Sequence, residues 1–153
     1  MTREWILFFY LGAGAFLDGR YKRVPLLYLL MGGVLGGYFL WVDRAASPVF
    51  FDQLALRMTP GMGVLIYSRI TKERIGYGDG IMMIILGGFL TYPEIWWVWC
   101  GGILLFVMTA GILYLCKRIQ KNTKLPFFPF LWMGYLAVRG MVYVRGISEV
   151  WEL

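Results

Sequence analysis

The chain contains no histidine and only two cysteines, and these absences remove whole classes of chemistry. Without His there is no Ser-His or Cys-His catalytic pair and no haem held through imidazole. Without a CxxC pair there is no zinc site of the usual spacing, and no metal is expected. Cys100 and Cys116 lie in one apolar run; they read as small apolar packing residues, with no disulfide expected. Charge is scarce too. Asp, Glu, Lys and Arg make up 16% of the 153 residues, against about 25% in an average soluble domain.

What is present in their place is hydrocarbon. Apolar residues are 59% of the chain and the mean hydropathy is +0.65, which is the composition of a protein solvated by a lipid bilayer. Aromatic residues reach 18%, with seven Trp and ten Tyr, a usage that suits helix ends at headgroup level. The formal charge of +6 would by itself suggest nucleic acid. The basic residues, however, fall in short clusters between apolar runs, as topology determinants do, and no nucleic-acid partner is expected.

The apolar runs are Trp5 to Leu17, Val24 to Val42, about Pro48 to Tyr67, Gly80 to Tyr92, Ile95 to Cys116 and Pro126 to Val144. A spanning helix takes about 20 residues; the first and fourth runs are shorter. They reach across a bilayer only by including the acid at one end, Asp18 after the first and Asp79 before the fourth. The first run is followed by Asp-Gly-Arg-Tyr-Lys-Arg rather than a small-residue cleavage site, so it reads as a retained helix and not a cleaved signal. The expected fold is all-α: one domain over residues 1–153, an integral membrane bundle of six transmembrane helices.

Basic clusters follow runs one, three and five: Arg20, Lys22 and Arg23; Arg69, Lys72 and Arg74; Lys117, Arg118, Lys121 and Lys124. The opposite ends carry little, namely Arg3, Arg44 and Arg145, with Arg57 and Arg139 inside runs. The positive-inside rule then puts the three basic loops in the cytoplasm and both termini outside. Helix one runs inward and helix four outward, so Asp18 and Asp79 emerge on the same, cytoplasmic, side. Gly32 with Gly36, and Gly33 with Gly37, are small-xxx-small pairs that let helix backbones approach. Run three holds Asp52, Arg57 and Pro60, which fits either a helix kinked near Pro60 or an interfacial first half.

Charge at membrane depth is costly and marks function. Two carboxyls held together cannot both ionise cheaply, so one keeps its proton and the pair offers an acid and a base at once. Such a pair activates water against a peptide carbonyl and protonates the leaving amine; the sequence does not assign which acid holds the proton. Around Asp79, Gly76, Gly78 and Gly80 either permit unusual backbone angles and leave space for an extended substrate strand, or serve packing. Pro126 and Pro129 bracket an aromatic stretch that is either a helix start with an interfacial anchor or a lining of the substrate path.

These residues carry a resemblance. Gly-Tyr-Gly-Asp at 76–79 resembles the GxGD motif of intramembrane aspartyl proteases. Asp18-Gly-Arg-Tyr-Lys-Arg-Val-Pro25 resembles the first motif of type IV prepilin peptidases, and Leu125-Pro126-Phe-Phe-Pro129-Phe-Leu131 is similar to the segment that opens their last helix. The resemblance implies an aspartic endopeptidase of the cell inner (cytoplasmic) membrane, multi-pass, with catalytic loops facing the cytoplasm. Its catalytic pair would be Asp18 and Asp79, Gly76 and Gly78 would be the motif glycines, and no cofactor is needed. Its partners would be the lipid bilayer and a pilin-like precursor of the type IV pilus or a related secretion system, cut between basic leader and hydrophobic helix. A homo-oligomer is left open.

Three departures accompany the resemblance. Leu26 stands where the family often has Asn, Ile81 where it often has Lys, and the cysteine-bearing methyltransferase domain of bifunctional members is not seen, so peptidase activity without N-methylation is implied. The basic residues near the pair would repel a basic leader and read as orientation and anionic-lipid contacts; Glu73 is the acid available to such a leader. Two other classes stay open: a proton-coupled transporter with two intramembrane acids, and a non-catalytic membrane scaffold.

Overall fold

The computed structural model describes residues 2–46, 50–70, 76–117 and 125–151. They form six helices and no strand: α1 Thr2–Tyr21, α2 Leu26–Ala46, α3 Phe50–Ile70, α4 Tyr77–Phe89, α5 Glu94–Leu115 and α6 Phe128–Trp151. The all-α class follows, and the six apolar runs correspond one to one with the six helices. Pro48, Lys72, Glu73, Arg74, Ile75, Arg118, Lys121, Lys124 and the Arg145 side chain lie outside the described residues.

The helices run alternately up and down. Leu65 of α3 packs on Gly80 of α4, and Arg57 on Gly87, so these two are antiparallel. Phe106, just past the middle of α5, meets Phe127 and Phe130 at the start of α6, while Glu94 at the start of α5 pairs with Arg139 farther along α6. Tyr10 of α1 stacks on Tyr28 of α2 with ring centroids 4.5 Å apart, and each hydroxyl donates to the other residue's carbonyl. One end of the bundle thus gathers the C-termini of α1, α3 and α5 with the N-termini of α2, α4 and α6.

Helix α4 is the axis of this arrangement. Gly80, Met82, Met83 and Ile85 through Phe89 are buried, packed mainly by α2 and α3, and joined in one core by Leu7 and Leu11 of α1, Ile95 and Val98 of α5, and Leu131 and Tyr135 of α6. Its 13 residues rise about 20 Å, and its apolar surface is covered by the neighbouring helices. Among the described residues, two helices are long and apolar enough to cross a membrane, Leu26–Ala45 and Glu94–Leu115. Only 17% and 11% of their apolar stretches are buried within the bundle, so neither is a core helix.

Glycine sets how closely the helices approach. A Cβ on Gly88 would come within 2.7 Å of the Gly36 Cα, and one on Gly134 within 2.7 Å of the Val98 carbonyl. Of the two stripes expected on α2, Gly32 and Gly36 are used, whereas Gly33 and Gly37 face open space. Cys100 and Cys116 are free and exposed, contrary to the packing role expected of them.

The far end of the bundle is tied by charge. Arg3 of α1 donates to the Asp43 carboxylate of α2 at 3.1 Å and to the Gly88 carbonyl of α4 at 2.9 Å, and Arg57 of α3 donates to Asp43 at 2.7 Å. Arg139 of α6 pairs with Glu4 of α1 at 2.9 Å and with Glu94 of α5 at 3.5 Å. All six helices contribute, which accounts for the arginines inside runs three and six. Helix α3 continues through buried Pro60, and its first half belongs to the bundle through Arg57.

Candidate active site

Asp18 sits on the stripe by which α1 faces the core. Leu7, Leu11, Gly14, Ala15 and Asp18 recur at helical spacing and are all buried; Asp18 is 8% exposed. The carboxyl is therefore turned inward by the same periodicity that buries the leucines. Helix α1 ends one turn later, where Lys22 adopts a left-handed φ of 52° and its N–H bonds the Asp18 carbonyl at 2.9 Å.

The Asp18 carboxylate meets the first turn of α6. The Phe128 N–H donates to Oδ2 at 3.2 Å, and the Phe127 N–H is turned toward the same carboxylate. Asp18 is thus a capping acid supplied by another helix, placed at the positive end of the α6 dipole. Phe128 itself is 1% exposed.

Asp79 is the third residue of α4, and there its carboxylate accepts the N–H of Gly76, the N-cap. This is the acidic half of a capping box; the N-cap side chain is missing because that residue is glycine. Asp79 is partly buried and stands at the same end of the bundle as Asp18. Two acids distant in sequence are therefore brought to one end of the bundle, where each caps a helix.

The three motif glycines differ in their surroundings. Gly76 is extended at φ −65° and ψ 139°, and no described glycine has positive φ, so unusual backbone angles are not their contribution. Space is. A Cβ on Gly78 would meet nothing within 4 Å, and one on Gly76 would lie 3.7 Å from Asp79 Oδ2. Gly80 is different: a Cβ there would stand 2.6 Å from Leu65 Cδ2 and 3.1 Å from the Leu65 N, so it is a packing glycine of the α3 and α4 crossing.

Pro126 and Pro129 are both partly buried at the start of α6, beside Asp18. Arg20, Lys22, Arg23, Arg69 and Lys117 are exposed at this same end. The cavity of about 250 Å³ lined by Arg3, Glu4, Phe89, Thr91, Glu94 and Arg139 lies at the other end, where its acids and bases pair with each other and leave no free acid for catalysis. Among the described residues no group of His, Cys, Asp and Glu is arranged to hold a metal.

The residues that sequence reading passed over are the Phe127 and Phe128 amides. Their signal was the Pro126-Phe-Phe-Pro129 pattern, in which two residues without N–H enclose two that have one. No family model, curated protein or solved structure matches the chain.

Proposed function

We propose that this protein is a membrane-embedded aspartic endopeptidase that removes the basic leader from type IV pilin-like precursors at the cytoplasmic face of the inner membrane. The observation that carries the reading is that Asp18, at the end of α1, and Asp79, at the start of α4, are both drawn into the same end of the bundle. One protonated and one ionised carboxyl supply the acid and base that peptide hydrolysis needs. The resemblance of residues 18–25, 76–79 and 125–131 to prepilin peptidases supplies the substrate class. The open space beside Gly78 gives an extended strand room to approach Asp79.

Six membrane crossings belong to the same proposal. Large apolar side chains cover the outside of the bundle, among them Leu27, Val34, Trp41, Trp97, Leu104 and Ile112. In water such a surface would be an aggregation liability; in lipid it is solvated. Exposed basic residues gather at the Asp18 and Asp79 end, whereas Arg3, Arg57 and Arg139 at the other end are neutralised by Asp43, Glu4 and Glu94. This asymmetry supports a cytoplasmic position for the acid pair.

The test is cleavage of a pilin-like precursor by the purified protein in liposomes, with the cut located by mass spectrometry. Asp18→Asn and Asp79→Asn are each expected to abolish cleavage while the protein stays folded; full turnover by either variant overturns the reading. The capping contact between Asp18 and α6 favours one competitor, a non-catalytic scaffold in which Asp18 serves architecture alone. In that case Asp79→Asn is silent and no precursor is cut.

A further inference from the structure

A helix begins with N–H groups that have no partner inside it. In α6 their number is small, because Pro126 and Pro129 carry no N–H. The Phe130 and Leu131 N–H groups are taken by the Phe127 carbonyl, at 3.1 and 3.2 Å. Of the two that remain, the Phe128 N–H donates to Asp18 at 3.2 Å and the Phe127 N–H is turned toward the same carboxylate. No other donor in that turn competes for the carboxylate.

The donors are themselves fixed. The Phe128 ring is 1% exposed and fills a notch over Gly14 of α1, where an added Cβ would come within 2.9 Å of its Cδ1. Gly14 is one helical turn before Asp18 on the same face. The α6 amides are therefore anchored to α1 by apolar packing beside the carboxylate they hold, and the two contacts set each other's register. A carboxylate has about four acceptor positions, so two amides leave room for a water to be bound and deprotonated.

We propose that the Pro126 to Pro129 turn is the positioning element for Asp18 in the hydrolytic reaction, an inference that rests on the peptidase reading above. The Phe127 and Phe128 N–H groups hold the carboxylate in one rotamer beside Asp79. Pro126 and Pro129 act by removing competing donors and by presetting the backbone of that turn, not by contacting substrate. Positioning of this kind acts on turnover more than on substrate affinity, because displacement of a reacting group by about 1 Å costs up to about 100-fold in rate.

The test removes one N–H without altering any side chain. Cell-free synthesis into liposomes places phenyllactic acid at position 128, which converts the Phe128 amide to an ester, and in a control at position 130, whose N–H bonds the Phe127 carbonyl and not Asp18. The Phe128 ester is expected to lower kcat about 10- to 100-fold with KM within about twofold, and the Phe130 ester to stay within about twofold in both. Equal losses from the two esters, or wild-type turnover by the Phe128 ester, overturn the proposal. Thermal unfolding gives a readout independent of activity. Asp18→Ala combined with the Phe128 ester is expected to cost little more than either alone, because each change breaks the same contact. Fully additive losses overturn the positioning contact, whereas absence of cleavage by the wild type, with the unfolding coupling intact, overturns the peptidase reading instead.

Discussion

Arg57 of α3 donates to the Asp43 carboxylate of α2 at 2.7 Å from a position that is only 4% exposed. Asp43 also receives Arg3, so one acid compensates two arginines at the end of the bundle away from Asp18 and Asp79. Removing the shared partner leaves a buried cation uncompensated, which costs about 3–5 kcal/mol. Asp43→Ala is therefore expected to destabilise strongly, and Arg57→Met much less, since Asp43 keeps Arg3. Thermal unfolding in one detergent checks the order, and equal losses would count against the shared role.

The crossing of α2 and α4 makes a glycine prediction with an internal control. Gly88→Ala drives a methyl group to 2.7 Å from the Gly36 Cα, and overpacking of this kind costs about 1–3 kcal/mol. Gly33→Ala meets nothing within 4 Å and gains helix propensity of about 0.5–1 kcal/mol. A lowered Tm for the first and an unchanged or raised Tm for the second is the expected pair of results.

Gly78 and Gly80 separate substrate space from packing in the same way. Gly80→Ala is expected to lower Tm, because Leu65 lies in its path, whereas Gly78→Ala leaves Tm unchanged. Under the proposed function, Gly78→Ala raises KM for the precursor by intruding on the strand beside Asp79. Unaltered cleavage by that variant places the substrate elsewhere.

The orientation that the proposed function requires is readable through the two free thiols. Cys116 caps the end of α5 beside exposed Lys117, so a membrane-impermeant maleimide is expected to label it in inside-out vesicles and not in intact cells. Cys100 lies six residues into α5, about 9 Å along the helix, where a charged reagent is expected to label it in neither preparation until the protein is unfolded. Labelling of Cys116 from the cell exterior would reverse the proposed topology.

Under the proposed function, a pair sharing one proton loses activity when both carboxyls are protonated and when both are ionised. The rate of precursor cleavage is therefore expected to be bell-shaped in pH. A rate that rises to a plateau without a second fall would show a single titrating acid and leave the other without a chemical role.

Six helices could be read from the chain because apolar runs and the polar breaks between them are local properties, and so could the two acids, since a charge beside an apolar run stands out wherever the helix goes. Only tertiary structure decided that α4 is sheathed by its neighbours, for a 13-residue apolar run suits a core helix and a short span equally. Which glycines carry contacts was settled by helix rotation, which local spacing leaves free: Gly36 is used and Gly37 is not. The Asp18 contact with the Phe127 and Phe128 amides lay furthest from view. Backbone donors are present at almost every residue, and although the flanking prolines mark these two, only the packing of α1 on α6 decides which carboxylate they meet.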